Sequence, residues 1–424
     1  MIRHDLHRNA SWYEKFFNWF PVQLILGLLF VILPATFYRW DWGFWENISD
    51  LHITTLAVVI STYVTIAITL RRILLYPGEQ AAAYILPTIL IYAGIAIIVL
   101  LLLRLPYSST VLTLSFFLAI IWFSAGHFIV RNWRTTTLGI VPFGEALGLE
   151  EKPNYRIITL ETPALPNEYI HGIVADLRAD DIGPEWEKFL AQCTLNRIPV
   201  YHIKQIKESL TGRVRIDHLS ENDFGRLLPS EFYNSIKRGI DILAVLLSLP
   251  VVLPVMLITA WLIKREDKGP ALFLQERLGY GGKIFKVYKF RTMYKDQTGK
   301  AFTTSEDDPR ITPIGKTLRK YRLDELPQFW NVLKGEMSLI GPRPESYQLA
   351  EWYEKDVPFF SYRHVVRPGI SGWAQVMQGY AAEVDGMKEK LEYDFYYIKH
   401  YSLWLDMLIF YKTIRTMLTG SGAR

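Results

Sequence analysis

Asp324 and Glu325 are adjacent carboxylates preceded within ten residues by Lys316, Arg319, Lys320 and Arg322, and this cluster is the part of the chain best suited to chemistry. Paired carboxylates supply oxygen ligands to Mg²⁺, which binds through one or two of them and completes its shell with substrate phosphates. The surrounding Arg and Lys can hold a diphosphate that the carboxylates alone would repel. The same cations keep a carboxylate ionised, as a nucleophile must be. Downstream, Arg343 stands between Pro342 and Pro344, a rigid turn-like setting that aims a guanidinium at a phosphate. Upstream, a strand-like run over 283–288 leads into Lys289 and Arg291. A charge cluster is most often a solvated helix face, so these residues alone leave both readings open.

Such a cluster needs elements to position it. The chain has 424 residues, half of them apolar, and a positive mean hydropathy, which directs attention to membrane segments. Its single cysteine, Cys193, excludes an intramolecular disulfide and a cysteine-based metal site. Four apolar runs, at 21–37, 51–70, 82–103 and 111–130, each approach the roughly 20 residues that cross a bilayer core. The net charge of +5 matters through its placement. Arg3, Arg8 and Lys15 precede the first run, Arg71 and Arg72 follow the second, and Arg131 and Arg134 follow the fourth; the first external loop sets Arg39 against Asp41, Glu46 and Asp50. Cations favour the cytoplasmic side, so both chain ends are expected there. Residues 1–18 show no small-residue cleavage pattern and read as the lead into a retained anchor. Helices buried in a large soluble core are the alternative.

From 154 to about 223 the composition becomes soluble, with β-like runs at 155–160, 169–174 and 198–203 and a helix-like run at 184–196, which predicts a small α/β domain with parallel strands. No glycine-rich fingerprint follows its first strand, so a structural or regulatory role is expected rather than a dinucleotide site. A fifth apolar run, 240–263, is flanked by Lys237 and Arg238 on one side and Lys264 and Arg265 on the other, with Pro250 and Pro254 inside. Basic residues at both ends and helix-breaking prolines predict a re-entrant helix–break–helix, with Arg238 as partner for Asp241. A fifth full span would place everything after it outside. Residues 396–417 suit either an interfacial amphipathic helix or an ordinary core helix.

The block 233–424 resembles the catalytic domain of the polyprenyl-phosphate sugar-1-phosphate transferases, the monotopic phosphoglycosyl transferases. The matching strings are the basic pair with Asp241, Gly269-Pro270, the run Gln275, Arg277, Gly279, then 289–293, 323–328, 341–344, Arg367-Pro368-Gly369 with Gly372, and Tyr393-Asp394 ahead of Tyr397. With four preceding spans and a small α/β insert, the whole chain resembles the large form of that family. The fold so implied is a membrane protein: a bundle of four spans in 1–135, a Rossmann-like α/β domain in 150–225, and a mixed α/β catalytic domain in 230–424 whose re-entrant helix covers about 238–265.

The resemblance implies that Asp324 attacks the β-phosphate of a UDP-sugar, releasing UMP and forming a phosphosugar-aspartyl intermediate, and that undecaprenyl phosphate then takes the phosphosugar. It implies Mg²⁺ held by Asp324 and Glu325, phosphate contacts from Lys289, Arg291, Arg319 and Arg343, and nucleotide-side positions at Pro342, Pro344, Arg367 and Gly369. Lys237, Arg238, Asp241 and Pro254 fall at the membrane break and interface. The implied setting is the bacterial inner membrane with the catalytic domain cytoplasmic; a homodimer and polysaccharide-assembly proteins are partners it allows, with no nucleic acid among them. One departure stands out: the family's Ser-Pro at the break is Leu253-Pro254 here, leaving Ser248 as a substitute hydroxyl. Two other classes remain: a membrane scaffold of polysaccharide assembly with a degenerate site, and a glycosyltransferase that moves only the sugar and releases UDP.

Overall fold

The computed structural model describes residues 19–74, 76–77, 82–133, 136–151, 155–166, 168, 170–215, 228–294, 308–378 and 384–419. Arg3, Arg8, Lys15, Arg134, Tyr169 and the 295–307 stretch of the polar loop lie outside them. The chain forms two compact units, 1–211 and 212–424.

The first unit opens with four helices, α1 (Phe20–Trp40), α2 (Asp50–Ile73), α3 (Ala82–Leu102) and α4 (Ser109–Trp133), close to the four predicted runs. Their outward positions are apolar, including Ile25, Leu29, Leu90, Ile98 and Phe117, as a lipid-facing surface requires and a water-facing one does not. A parallel four-stranded sheet follows, from β1 (Thr136–Ile140), β2 (Tyr155–Thr159), β3 (Gly172–Ala175) and β4 (Val200–His202), in the order β2-β1-β3-β4. Helices α5 (Pro184–Leu195) and α6 (Ile203–Thr211) accompany it. Strand β1 has no counterpart in the sequence reading, because it begins directly after an apolar helix and has no turn signal to separate it.

At the sheet's switch point, between the C-terminal ends of β1 and β3, the Asp176 carboxylate accepts from Glu145 N at 3.0 Å and Arg178 N at 3.2 Å. A dinucleotide's pyrophosphate would use such amides, which the Asp176 carboxylate occupies here.

The second unit begins with α7 (Glu231–Glu266), an unbroken helix of 36 residues with Pro250 and Pro254 inside it. The predicted break is therefore absent as secondary structure: each proline removes one ladder bond, and the flanking bonds carry the helix past it. Ser248 donates to Val245 O at 2.8 Å, so it does not serve the carbonyls that the prolines leave without a donor. The expected Arg238–Asp241 pairing is also replaced. Arg238 donates to Val332 O and Leu333 O at the negative end of a short helix, and Asp241 accepts from Ser338 Oγ at 2.6 Å and Leu339 N at 3.3 Å. Lys237 does not face an interface; it is buried against Asp406 Oδ2 at 2.6 Å, where Tyr233 and Tyr397 also donate to that carboxylate.

The far end of α7 joins the same unit. Ile263 is buried with Ala271, Phe290 and Leu318, and Met256 and Ala260 pack against the cluster together with Leu323 and Leu326. Glu266 Oε1 accepts from Ile314 N at 3.2 Å. The outer positions Ile240, Leu243, Leu247, Val251, Ile258 and Trp261 are exposed and apolar. All five of these helices, α1 to α4 and α7, are long and apolar enough to cross a membrane.

A hairpin of β5 (Leu272–Leu278) and β6 (Ile284–Phe290) comes next, then α8 (Pro313–Lys320), a 3₁₀ turn at Leu323–Gln328, and α9 (Phe329–Lys334). Asn331 of α9, wholly buried, joins β6 by accepting from Tyr288 N at 3.1 Å and donating to Lys286 O at 2.7 Å. The parallel pair β7 (Ser338–Ile340) and β8 (Gly369–Ser371) flanks α10 (Tyr347–Asp356), and α11 (Trp373–Met377), α12 (Val384–Lys399) and α13 (Leu403–Thr419) close the unit. The 396–417 segment is thus two helices, and α13 buries Leu405, Asp406, Leu408, Ile409 and Tyr411. That face packs into the core, while Phe410 and Ile414 stay exposed on the other.

Candidate active site

Three elements bring the carboxylate pair to the end of the hairpin. Helix α8 starts at Thr312, whose hydroxyl accepts from Gly315 N at 2.9 Å, with Pro313 in the first turn, a favourable N-terminal sequence. Gly315 lies against β6's extension, where a Cβ would sit 2.2 Å from Thr292 O, so only glycine allows this approach. Arg319 of α8 reaches Thr292 Oγ1 through Nε at 2.9 Å. Arg322 then takes left-handed backbone angles, φ 54° and ψ 27°, and redirects the chain into the turn that carries Asp324 and Glu325.

Glu325 is the charge centre. Its Oε1 accepts from Arg343 Nη2 in a short contact and lies 3.5 Å from Lys289 Nζ, while Oε2 is 3.9 Å from Arg322 Nη1. Burial would raise this carboxyl, but Arg343 and Lys289 outweigh burial and hold it well below the usual carboxylate range. Asp324 differs. Among the described residues it has no hydrogen-bond or ion-pair partner, and burial followed by the neighbouring Glu325 charge raises it against the pull of Lys289, Arg343 and Arg319. Lys289 is itself lowered to about 8, first by burial and then by Arg343, with Glu325 opposing. Two carboxylates side by side are thus set apart, one neutralised by cations and the other available at its oxygens.

The structure brings Asp324, Glu325, Lys289, Arg343 and Arg319 together. Arg291 goes elsewhere: Nη1 pairs with Asp267 Oδ2 at 3.1 Å and Nη2 donates to Asp267 O at 2.7 Å. Arg367 also turns away, to Gly335 O at 3.2 Å and Asn234 Oδ1 at 2.9 Å. Gly369 serves the backbone, since a Cβ there would lie 2.0 Å from Gly341 N, and its amide donates to Pro342 O at 2.9 Å. Pro342 and Pro344 bracket Arg343 as expected. Sequence reasoning assigned no role to Arg277 and Gln328, which line a small pocket with Val287, Lys289, Arg343 and Pro344. Arg277 donates to Pro344 O at 2.6 Å and Gln275 Oε1 at 2.7 Å. The run Gln275, Arg277, Gly279 was visible, but only the hairpin register turns Arg277 to the same face as Lys289.

Among the described residues, no three of His, Cys, Asp and Glu gather into a metal site. Mg²⁺ needs only one or two carboxylates beside substrate phosphates, and the unpartnered Asp324 fits that requirement, with Glu325 Oε2 as the second oxygen.

Comparison with known proteins places this geometry. Residues 232–420 match the family of bacterial sugar transferases. Over 419 residues the chain is 48% identical to the UDP-N-acetylgalactosamine-undecaprenyl-phosphate N-acetylgalactosaminephosphotransferase of Aeromonas hydrophila, covering 98% of this chain and 99% of that protein. The chain belongs to the bacterial polyprenyl-phosphate sugar-1-phosphate transferase family. The transferase is therefore an enzyme of the phosphotransferase class. The chain is also 42% identical over 182 residues to the UDP-glucose:undecaprenyl-phosphate glucose-1-phosphate transferase of Klebsiella pneumoniae, 42% of this chain and 39% of that one. A galactosyl transferase of Streptococcus agalactiae serotype III matches at 42% over 173 residues, 38% and 37% of the two chains.

Proposed function

We propose that the transferase moves a hexose-1-phosphate from a UDP-sugar to undecaprenyl phosphate, releasing UMP, and so starts a polysaccharide repeat unit. The observation that carries this reading is the unpartnered Asp324 carboxylate beside Lys289, Arg319 and Arg343, with Glu325 neutralising two of those cations. An Asp324 oxygen attacks the donor's β-phosphorus. The bond from that phosphorus to the bridging oxygen breaks and UMP departs with the electron pair. A phosphate oxygen of the lipid then attacks the same phosphorus, the acyl-phosphate bond breaks, and the Asp324 carboxylate returns. Lys289 and Arg343 hold the non-bridging oxygens, where negative charge must be met twice. Asp324 and Glu325 Oε2 would hold Mg²⁺, which screens the diphosphate when bound.

The full-length similarity to a protein named for UDP-N-acetylgalactosamine favours that donor over UDP-glucose, for which partial relatives are named. Topology follows the same reading: four spans, a cytoplasmic catalytic unit in the inner membrane, and α7 lying along one leaflet without crossing. Support comes from α7 itself, since Asp241 near its start and Glu266 at its end both bond to the second unit while its outer face stays apolar.

The test is nucleotide release by detergent-purified protein with Mg²⁺, undecaprenyl phosphate and, in turn, UDP-N-acetylgalactosamine, UDP-glucose, UDP-galactose and UDP-N-acetylglucosamine. UMP with the first is expected. UDP instead would replace the reading with sugar transfer alone, and no release from any donor would favour a scaffold.

The pH dependence has a definite sign. Asp324 must be ionised to attack, and burial and the neighbouring Glu325 raise it, so kcat/KM for the donor is expected to fall on the acid side at a higher pH than an ordinary aspartate would give. An ordinary aspartate would hold the rate down to roughly pH 4. A profile that stays flat down to the ordinary aspartate range would remove the assignment.

A further inference from the structure

Arg343 is held from behind by a buried group of four charges that touches no reacting atom. Arg363, 2% exposed, donates through Nη2 to Arg343 O at 2.7 Å. The same guanidinium meets Asp394 Oδ2 at 2.7 Å and Glu345 Oε1 at 3.4 Å, and it lies over the Phe360 ring. Lys390 of α12 completes the group with a short contact to Glu345 Oε1. Two cations and two carboxylates make the set neutral, and all four residues are buried.

Burying four charges is costly, and apolar residues of like volume often stabilise as well or better. The set therefore needs a role beyond packing. Pro342 and Pro344 restrict the backbone on either side of Arg343, and residues before proline are kept extended. Two guanidiniums then pin the carbonyls of this short segment, Arg277 on Pro344 O at 2.6 Å and Arg363 on Arg343 O. From this fixed backbone the Arg343 side chain runs toward Glu325, with Nη1 also 3.5 Å from Ile370 O.

We infer that Arg363, held by Asp394 and Glu345, is a positioning residue that aims the Arg343 guanidinium into the active site, an inference that rests on the function proposed above. Arg363→Lys keeps the charge and loses the fork that reaches Arg343 O. UMP release is expected to fall about tenfold to hundredfold, because small displacements of a phosphate-holding group cost that much. In an Arg343→Ala background the same change is expected to cost less than about twofold, since both substitutions remove one arrangement. A purely structural role would give losses that multiply.

A second readout needs no turnover. Phenylglyoxal labelling of Arg343, measured by mass spectrometry against the exposed Arg156, is expected to rise severalfold in Arg363→Lys as Arg343 leaves Glu325. Asp394→Asn repeats both measurements if the lysine variant does not fold. Multiplying losses, or unchanged labelling, would overturn the positioning role. If the wild type releases no UMP, the functional reading falls and the labelling result alone decides the positioning.

Discussion

Asp324→Asn is expected to lower UMP release by a factor of order 10⁴ or more, the scale on which removal of an attacking group acts elsewhere. Asparagine keeps the size and takes away the nucleophilic oxygen. Asp324 has no hydrogen-bond or ion-pair partner among the described residues, so the change breaks no contact and folding should be preserved. Melting temperature in detergent is therefore expected to stay within a few degrees of wild type, or to rise, because a half-buried carboxylate beside Glu325 carries a repulsion that the amide lacks. Denatured wild-type protein quenched after mixing with radiolabelled donor should carry one phosphosugar per chain, and the variant none. Full turnover by Asp324→Asn, or equal labelling of both proteins, would end the covalent scheme.

Glu325→Gln should damage both stability and rate, for a different reason. Its carboxylate lies between Arg343 and Lys289, and without it two part-buried cations face each other with only Asp324 left to offset them. Breaking such a set by removing one partner costs about 3 kcal/mol or more. Lys289 is already lowered to about 8 with Glu325 opposing the fall, so the glutamine variant lowers it further. Turnover is expected to drop by about 10³-fold, the upper range for loss of electrostatic stabilisation. The acid limb gives the distinguishing sign: Glu325 raises Asp324, so its removal moves the limb of the residual rate to lower pH. Glu325→Asp, which keeps the charge, should recover most of the stability. A variant that melts and turns over like wild type would leave Glu325 without the assigned role.

Much of this was legible in the residues. Four apolar runs of the right length with cations at alternate ends specify helices at nearly the observed positions, because hydrophobic length and charge are local properties. The prolines around Arg343 and the acidic pair were equally plain. Less visible were features whose cause is distant in sequence. Lys237 looks like a membrane-flanking cation, and its burial depends on Asp406, 169 residues later. Arg291 and Arg319 are alike on paper, yet Asp267 captures the first and Thr292 directs the second to the site. Pro250 and Pro254 signal a break by type alone, whereas the ladder bonds on either side carry the helix past both.

By itself, then, the sequence determined which residues carry charge and where apolar length is sufficient for a membrane, since both follow from composition over short windows. Only the tertiary structure decided what each charge is used for. Pairing energy depends on distance and burial, and those arise when β6, the 3₁₀ turn and the Arg343 segment converge. That convergence makes Glu325 a neutralised centre and leaves Asp324, its immediate neighbour, available to react.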